Sequence, residues 1–350
     1  MERRTFLKIL SSAGIVSLVS PTFAMEVCKN KVSKSSSALL ESAFRNPPFS
    51  SGVYTWWHWM NGNITKDGIT RDLEAMKANG IAGYQLFEAG SGIPIGPVES
   101  LSDEWVDLIL HTLKESERLG LEFAMHNCPG WSSSGGPWIT PDKAMQIITW
   151  SETKITGGKQ VRIQLPTPKH MFDYYIDTYC LAIPANMKVI PRLSILELSN
   201  RLDKDGVLTW DVPTGEWLIM RFGQTAKDQK NKSAPSKSTG LDCDKFSTEA
   251  LDYHLNCMFK RLMPAMEKIA KHSKIGLLID SYETGDQDWT SDMPAYFEQS
   301  HGYELYPFLP VLANKIVESE ESTKRFLFDF RRVRADMFRS EERRVGKECR

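Results

Sequence analysis

The hydrophobic pattern of the first third of the chain repeats one unit three times. Apolar or aromatic runs at 53–59, 81–87 and 121–126 each end in a polar loop, and amphipathic helical segments that close at a glycine follow the first two. Strand, loop and helix in regular alternation predict parallel strands that are joined by right-handed crossovers. No G-x-G-x-x-G opens the first helix, so a dinucleotide-binding fold lacks its signature.

The repeat is interrupted and then resumes. Residues 153–225 hold short alternating segments between Gly- and Pro-containing turns, which predicts an antiparallel β region, and a Lys- and Ser-rich loop continues to 240. Ser247 then caps a predicted single helix from Thr248 to about His272. Residues 275–280 form a near-continuous apolar run, typical of a strand that is buried on both faces. We therefore predict an α/β fold, in which a partial (β/α)8 TIM-type barrel contributes its first four strands and carries an inserted antiparallel β region.

Composition changes divide the chain further. The last residues, SEERRVGKECR, resemble translated adapter sequence, with a natural solvated terminus as the alternative, and we expect the chain to be the first part of a longer enzyme. The predicted segments are a signal peptide at 1–24, a linker at 25–46, the first part of the barrel at 47–152, the β-rich insertion and loop at 153–240, a continuation of the barrel at 241–338 and a non-native tail at 339–350.

The N-terminus has the features of an export signal. Arg3 and Arg4 precede Phe6-Leu7-Lys8, and a short apolar run leads to a small-residue cleavage position at Ala24. The paired arginines resemble a twin-arginine signal, and an ordinary Sec signal is the alternative. The apolar run is too short for a stable membrane span. We expect an exported protein, periplasmic or extracellular.

The net charge and the aromatic content indicate which kinds of binding partner to expect. The 43 basic and 44 acidic side chains give a net charge of -1, so there is no excess positive field to attract a nucleic acid. The 10 Trp residues favour a carbohydrate partner, because a sugar ring can stack on an indole, although any one Trp can instead fill the core. The sequence contains no C-x-x-C pair, so neither a metal-binding nor a redox motif is indicated. No organic cofactor is expected.

Two carboxylate residues, Asp280 and Glu283, lie at the carboxyl end of the fourth predicted strand, where barrel enzymes place catalytic groups. Glycoside hydrolysis needs a carboxylic acid that protonates the leaving oxygen and a second carboxylate. Glu283 is the candidate acid, because aromatic neighbours would raise its pKa. The alternative is that Asp280 caps backbone amides and Glu283 is solvated. Candidate substrate contacts in this segment are Asp280, Tyr282, Gln287 and Trp289.

Polar and aromatic residues also end the first three predicted strands. Alternation places Trp57 and Trp59 on one face and His58 on the other, so one set packs inside and the other can reach the site. An alternative is that His58, Glu88 and His126 bind zinc, although no two of them have the spacing of zinc ligands on one helix. Oxygen ligands from Glu88, Asn127 and Asp280 would instead suit calcium. The candidate substrate contacts here are Trp57, His58, Trp59, Asn61, Glu88, His126, Asn127 and Trp131.

Four long strings in the sequence resemble glycoside hydrolase family 106. They are YTWWHWMNGNITKDGITRDLEAM at 54–76, HNCPGWSSSGG at 126–136, GLDCDK at 240–245 and DSYETG at 280–285. The resemblance implies an inverting α-L-rhamnosidase that acts on plant glycans, with a (β/α)8 barrel, accessory β domains and calcium at the active site. It also implies Glu283 as the general acid, with the base carboxylate beyond Phe338. Rhamnose as the substrate rests on this resemblance alone.

Two other functions remain open at the level of sequence. A glycan-binding protein would keep an aromatic cleft without turnover, and a related barrel glycosidase, such as a galactosidase-like enzyme, would act on another sugar. Only an enzyme would need Glu283 for turnover more than for binding.

Overall fold

The computed structural model describes residues 34–271, 275–281 and 285–348, with side chains described for 39–49, 51–271, 275–281 and 285–338. The predicted signal peptide therefore lies outside the described residues, as do Tyr282 and Glu283. None of the described helices combines the length and apolar character that are needed to cross a bilayer.

A four-stranded parallel sheet forms the first layer. Its strands are β1 (Val53–Met60), β2 (Ile81–Ala89), β3 (Glu122–His126) and β11 (Ile275–Leu278), and they pair in the order β1-β2-β3-β11. The predicted parallel pairing and strand order are confirmed. The strands form an open sheet within the part of the chain that the structure describes, so a closed barrel stays a prediction.

Helices cover one face of this sheet. Helix α2 (Lys66–Ala78) begins at Thr65, whose hydroxyl accepts from the Gly68 N–H, and α3 (Asp103–Leu119) begins at Ser102 in the same way. Helix α3 ends at Gly120, which has a positive φ of 66°. The shared core consists mainly of Trp59, Leu73, Tyr84, Leu86, Trp105, Ile109, Leu113, Phe123, Met125, Leu262 and Met266.

The antiparallel layer begins at Gln146, seven residues before the predicted start. The strands of its main sheet are β4 (Gln146–Thr156), β6 (Ile176–Pro184), β8 (Leu196–Glu197) and β10 (Glu216–Ala226), beside the paired β5 (Lys159–Gln164) and β9 (Val207–Val212) and the short β7 (Val189–Ile190). The main sheet has the order β4-β10-β6-β8. Inside it, Arg221 donates to Asp177 Oδ1 over 2.7 Å and to the Leu165 carbonyl over 3.0 Å.

Segment 241–338 was predicted to continue the first layer, but only part of it does so. Only its first part, with α4 (Thr248–Phe259), α5 (Met263–Ile269) and β11, joins the parallel sheet. The rest packs on the antiparallel sheet, because its apolar face shares a core with Phe222 and Leu181. That rest comprises α6 (Met293–His301), α7 (Leu309–Leu312), β12 (Ile316–Val317), which pairs with β7, and α8 (Glu320–Glu348).

Two further sequence predictions are corrected. The linker predicted at 25–46 contains helix α1 (Lys34–Arg45), whose Leu39, Leu40 and Phe44 are exposed. The single helix expected from Thr248 to about His272 is divided into α4 and α5. Pro264 lies in the first turn of α5, where its missing N–H is tolerated, whereas it would disrupt a continuous helix.

The packing of α8 on the antiparallel sheet can be tested with two phenylalanines on that helix. Phe326 is buried and stacks on Phe308 at 5.3 Å, whereas Phe328 is 62% exposed. We expect Phe326→Ala to lower the free energy of unfolding by ~3–5 kcal/mol and Phe328→Ala by less than ~0.5 kcal/mol. Urea denaturation followed by tryptophan fluorescence measures both, and equal losses would place α8 elsewhere.

Candidate functional site

The loops that follow the parallel strands lie together at one edge of the sheet. The segment after β3, residues 127–136, packs against residues 229–242 through backbone bonds from Trp131 N–H to the Lys232 carbonyl and from Gly136 N–H to the Leu241 carbonyl, both 3.1 Å. The buried Asn231 side chain joins the same two segments by donating to the Pro129 carbonyl over 2.9 Å. The long loop that precedes α4 is therefore part of this edge.

An aromatic row lies on the sheet face opposite the helices. The rings of Trp56 and Phe87 are 5.0 Å apart, Phe87 stacks on His58 at 5.4 Å, and Phe87 stacks on His126 at 4.8 Å with an interplanar angle of 17°. Trp56 is 55% exposed. The row offers flat apolar surface of the kind that contacts a sugar ring. His58 and His126, two of the candidate substrate contacts, thus both stack on Phe87, and Trp56, which was not a candidate, lies beside them.

Trp57 and Trp59 lie on the other face, so their predicted substrate contacts are corrected. Trp59 is 2% exposed and packs edge-on against Trp57 at 5.9 Å, and the Trp57 indole donates to Asp72 Oδ2 of α2 over 3.0 Å. Alternation along the strand separates these indoles from His58. Both tryptophans hold α2 on the sheet.

His126 and Asn127 present unpaired polar atoms at the end of β3. His126 Nδ1 lies 2.8 Å from the Cys128 carbonyl, and burial lowers the pKa of the imidazole, although Cys128 and the charge of Asp280 oppose that effect. Because a carbonyl only accepts, the neutral ring carries its proton on Nδ1 and Nε2 is an acceptor. Among the described residues, His126 Nε2 and Asn127 Oδ1 are buried without a hydrogen-bond partner.

Asn61 and Glu88 have structural partners in place of predicted substrate contacts. Asn61, with φ of 49°, donates from Nδ2 to the Ile93 carbonyl over 2.7 Å, and the Glu88 carboxyl accepts from the Ser100 hydroxyl over 2.9 Å. Burial raises the pKa of Glu88 to about 7, and the Ser100 hydrogen bond partly opposes the shift. These two residues fix the loop between β2 and α3.

A buried ion pair, which sequence reasoning missed, joins the loops at this edge. Lys245 Nζ lies 2.6 Å from Asp242 Oδ1 and donates to Ser134 Oγ over 2.7 Å and to the Ser132 carbonyl over 3.3 Å. The Ser134 hydroxyl donates to the same carboxylate oxygen. Asp242 and Lys245 are both buried. Their Asp-x-x-Lys spacing was the available signal, but such a pair is usually a solvated one.

A second buried network holds the segment after β11. Gln287 Oε1 accepts from the Lys245 N–H over 3.0 Å, and its Nε2 donates to the Trp289 carbonyl over 3.0 Å and to Asp244. Thr290 Oγ1 donates to Asp244 Oδ2 over 2.8 Å, and burial raises the pKa of Asp244 to about 6. Gln287 is therefore saturated inside the protein.

The remaining candidate residues fall into three groups. Trp289 is fully buried in the core of the antiparallel layer, which corrects its predicted substrate contact. Trp131 and Asp280 are half-buried at the loop edge, and the charge of Asp280 reaches His126. Tyr282 and Glu283 lie outside the described residues.

The geometry does not assemble the predicted zinc ligands, and calcium ligation by Glu88, Asn127 and Asp280 stays a prediction. Among the side chains that the structure describes, no group of three His, Cys, Asp or Glu could hold a metal ion. The Glu88 carboxyl accepts from the Ser100 hydroxyl, and burial raises its pKa to about 7. His126 binds Cys128 through Nδ1, and the His58 ring stacks on Phe87.

Comparisons with known proteins identify a family and two similar proteins. The family model described as alpha-L-rhamnosidase, Glyco_hydro_106, matches residues 45–175 and 169–348. A Formosa agariphila protein with the name "Putative beta-glucuronidase" is 41% identical over 329 residues, which are 85% of this chain and 28% of that protein. A solved rhamnosidase from Novosphingobium sp. PP1Y is similar in fold, with a TM-score of 0.81 and 24% sequence identity. The similarity covers 89% of this chain and 46% of the rhamnosidase chain. The chain thus spans less than half the length of each relative.

The ion pair should show a strong coupling energy. Lys245→Met leaves Asp242 buried and unpaired, so we expect a loss of ~3–5 kcal/mol in the free energy of unfolding. The double variant Asp242→Asn with Lys245→Met should lose less than the two single variants added together. Chemical denaturation of all four proteins gives this coupling, and additive losses would show that the pair does not act as a unit.

Glu88 should make stability depend on pH. Its pKa rises from 4.5 to about 7 on folding, so the folded state holds the proton more tightly and stability falls as pH rises from 4.5 through 7. The full shift corresponds to about 3 kcal/mol. Glu88→Gln, which keeps the neutral form, should gain stability over the parent protein at pH 8 but not at pH 4.

The exposed Glu99 beside this loop supplies the control. Glu99→Gln makes the same change of charge without removing a buried carboxylate. Thermal melts between pH 4 and pH 8 measure the three proteins. If Glu88→Gln and Glu99→Gln followed the same pH curve, the burial of Glu88 would not be the cause.

Proposed function

The chain belongs to glycoside hydrolase family 106, and from this premise we propose that it is part of an enzyme that removes terminal α-L-rhamnose from glycans by an inverting acid–base mechanism. The family match over nearly all of the described residues is the observation that carries the proposal. The aromatic row and the acceptor atoms at the strand ends support a carbohydrate ligand.

The proposed binding mode follows from the chemistry of the described residues. The apolar face of a sugar ring stacks on the exposed part of the row at Trp56 and His58, and sugar hydroxyls donate to His126 Nε2. Burial lowers the pKa of His126, which favours the neutral ring that accepts a hydrogen bond at Nε2. The usual proton donor in glycoside hydrolysis is a carboxylic acid.

We assign that acid role to Glu283, which follows the end of β11 by five residues. In an inverting mechanism its carboxyl proton passes to the glycosidic oxygen as the C–O bond breaks, and a carboxylate base takes a proton from the attacking water. Asp280 lies between β11 and Glu283 and its charge reaches His126, which suits a residue that positions the substrate.

A second substrate is favoured by one observation. The Formosa agariphila protein that is 41% identical over 85% of this chain carries the name of a β-glucuronidase. A β-glucuronide is therefore the alternative substrate for the same site. Initial rates of the full-length protein with 4-nitrophenyl α-L-rhamnoside and 4-nitrophenyl β-D-glucuronide separate the two, and turnover of neither would refute both.

Glu283→Gln tests the acid in the full-length enzyme. It removes the proton donor and keeps the shape, so turnover of an alkyl rhamnoside should fall by ~10²–10⁴-fold. A 4-nitrophenyl rhamnoside needs less protonation and should lose less, and binding of rhamnose should change little. Steady-state kinetics and titration calorimetry give these values.

Asp280→Asn is the matched control for this experiment. If Asp280 only positions the substrate, its loss should slow the two leaving groups equally. Proton NMR of the first product anomer tests inversion independently. Equal rate losses for both leaving groups in Glu283→Gln would remove Glu283 as the acid.

A further inference from the structure

His254, a fully buried histidine on α4, contacts the residue that follows β3. Its Nε2 is 2.9 Å from the Asn127 backbone carbonyl, and its Nδ1 is 3.2 Å from the indole nitrogen of Trp138. An indole N–H only donates, so His254 Nδ1 accepts and the ring proton lies on Nε2, where it donates to the carbonyl. Two fixed partners therefore select one tautomer of the neutral ring.

The surroundings of His254 favour this neutral ring. Burial lowers the pKa of His254 to about 4, and the Asn127 carbonyl and the charge of Asp242 oppose the shift only in part. A protonated ring would donate from both nitrogens and would set an N–H against the Trp138 N–H. The neutral ring instead donates on one side and accepts on the other, as its two partners require.

The Trp138 indole is held in place by the loop after β3. Its ring lies so close to Gly136 that a Cβ at that position would be 2.6 Å from a ring carbon, so only glycine permits this approach. The rings of Trp138 and His254 are 5.7 Å apart and tilted by 35°. The loop that borders the candidate site therefore also positions the indole that selects the tautomer of His254.

Asn127 is held through every polar group except one. Its N–H donates to the Leu278 carbonyl of β11 over 3.1 Å, its carbonyl accepts from His254, and its Nδ2 donates to the Ser133 carbonyl. The bond from Nδ2 fixes the orientation of the amide. Oδ1 is left as a buried acceptor without a partner among the described residues, and such an atom is costly unless a ligand donates to it.

We propose that His254 is a positioning residue, which holds Asn127 so that Oδ1 accepts a hydrogen bond from one hydroxyl of the bound sugar. His254 acts through the Asn127 backbone, and Trp138 acts through the tautomer of His254. A small displacement of a substrate-binding group lowers the rate strongly, so the loss of this backbone bond affects turnover. The inference rests on the proposed function for its sugar substrate.

Removal of single hydroxyls from the substrate tests the proposal in the full-length protein. The substrates are the 4-nitrophenyl glycoside that the parent protein cleaves and its 2-, 3- and 4-deoxy analogues. In the parent protein, loss of the hydroxyl that Asn127 binds should lower kcat/KM by ~10-fold or more, because a buried acceptor is left unpaired. His254→Met lacks the donor, so it should lower kcat/KM for the complete substrate and make the same deoxy analogue little worse than that substrate.

Three further variants complete the experiment. His254→Gln carries an amide N–H that can replace Nε2, so it should recover most of the lost kcat/KM and the sensitivity to that one hydroxyl. Trp138→Phe removes the donor that selects the tautomer and should show a smaller loss of the same kind; it also carries the test if His254→Met does not fold. His111→Met is the control, because His111 is hydrogen-bonded to the Thr70 hydroxyl at 3.0 Å between α2 and α3, and it should leave all rates unchanged.

The two proposals can fail separately. Unchanged rates in the His254 and Trp138 variants, or equal losses for the complete substrate and all three deoxy analogues, would overturn the positioning role. If neither 4-nitrophenyl α-L-rhamnoside nor the β-D-glucuronide is cleaved, the proposed hydrolase function fails. Titration calorimetry with methyl α-L-rhamnoside and its deoxy analogues then decides the positioning role, which stands if one hydroxyl contributes to binding only when His254 is present and is overturned by any other result.

Discussion

The loop edge depends on one buried ion pair. Lys245 and Asp242 are both removed from water, and neither charge could stay there without the other. Their mutual attraction alone does not offset the loss of hydration, so further hydrogen bonds are needed, and Ser134 and the Ser132 carbonyl provide them. The pair therefore fixes the loop after β3 and the segment before α4 in one arrangement.

That arrangement extends into the second layer. The backbone N–H of Lys245 binds Gln287, and Trp289, two residues further, is bridged to Gln146 at the start of β4. Asp288 binds the Ile148 N–H over 2.9 Å. The segment at 287–289 is thereby tied to the first strand of the antiparallel sheet. The two layers are therefore joined by hydrogen bonds next to the candidate site.

Sequence reasoning predicted the parallel sheet because its signal is local. Four apolar runs with the spacing of strand, loop and helix leave few other topologies, and the observed order of strands is the predicted one. Side-chain direction was predicted only in part. Alternation separated Trp57 and Trp59 from His58, but it could not say which face the helices cover. Trp289 was misassigned because its burial comes from α8 and β4, which are distant in sequence.

The charges of the site could not be predicted from sequence for the same reason. Asp242 and Lys245 read as ordinary polar loop residues until the loop that contains Ser134 covers them. Burial raises the pKa of Glu88 to about 7 and that of Asp244 to about 6, so carboxyl groups near the site are pushed toward their neutral forms. Arginine does not lose its charge in this way, because its pKa is too high. Burial therefore changes the charge state of carboxyl groups near the site while neighbouring arginines keep theirs, and this difference depends on contacts between residues that are distant in sequence.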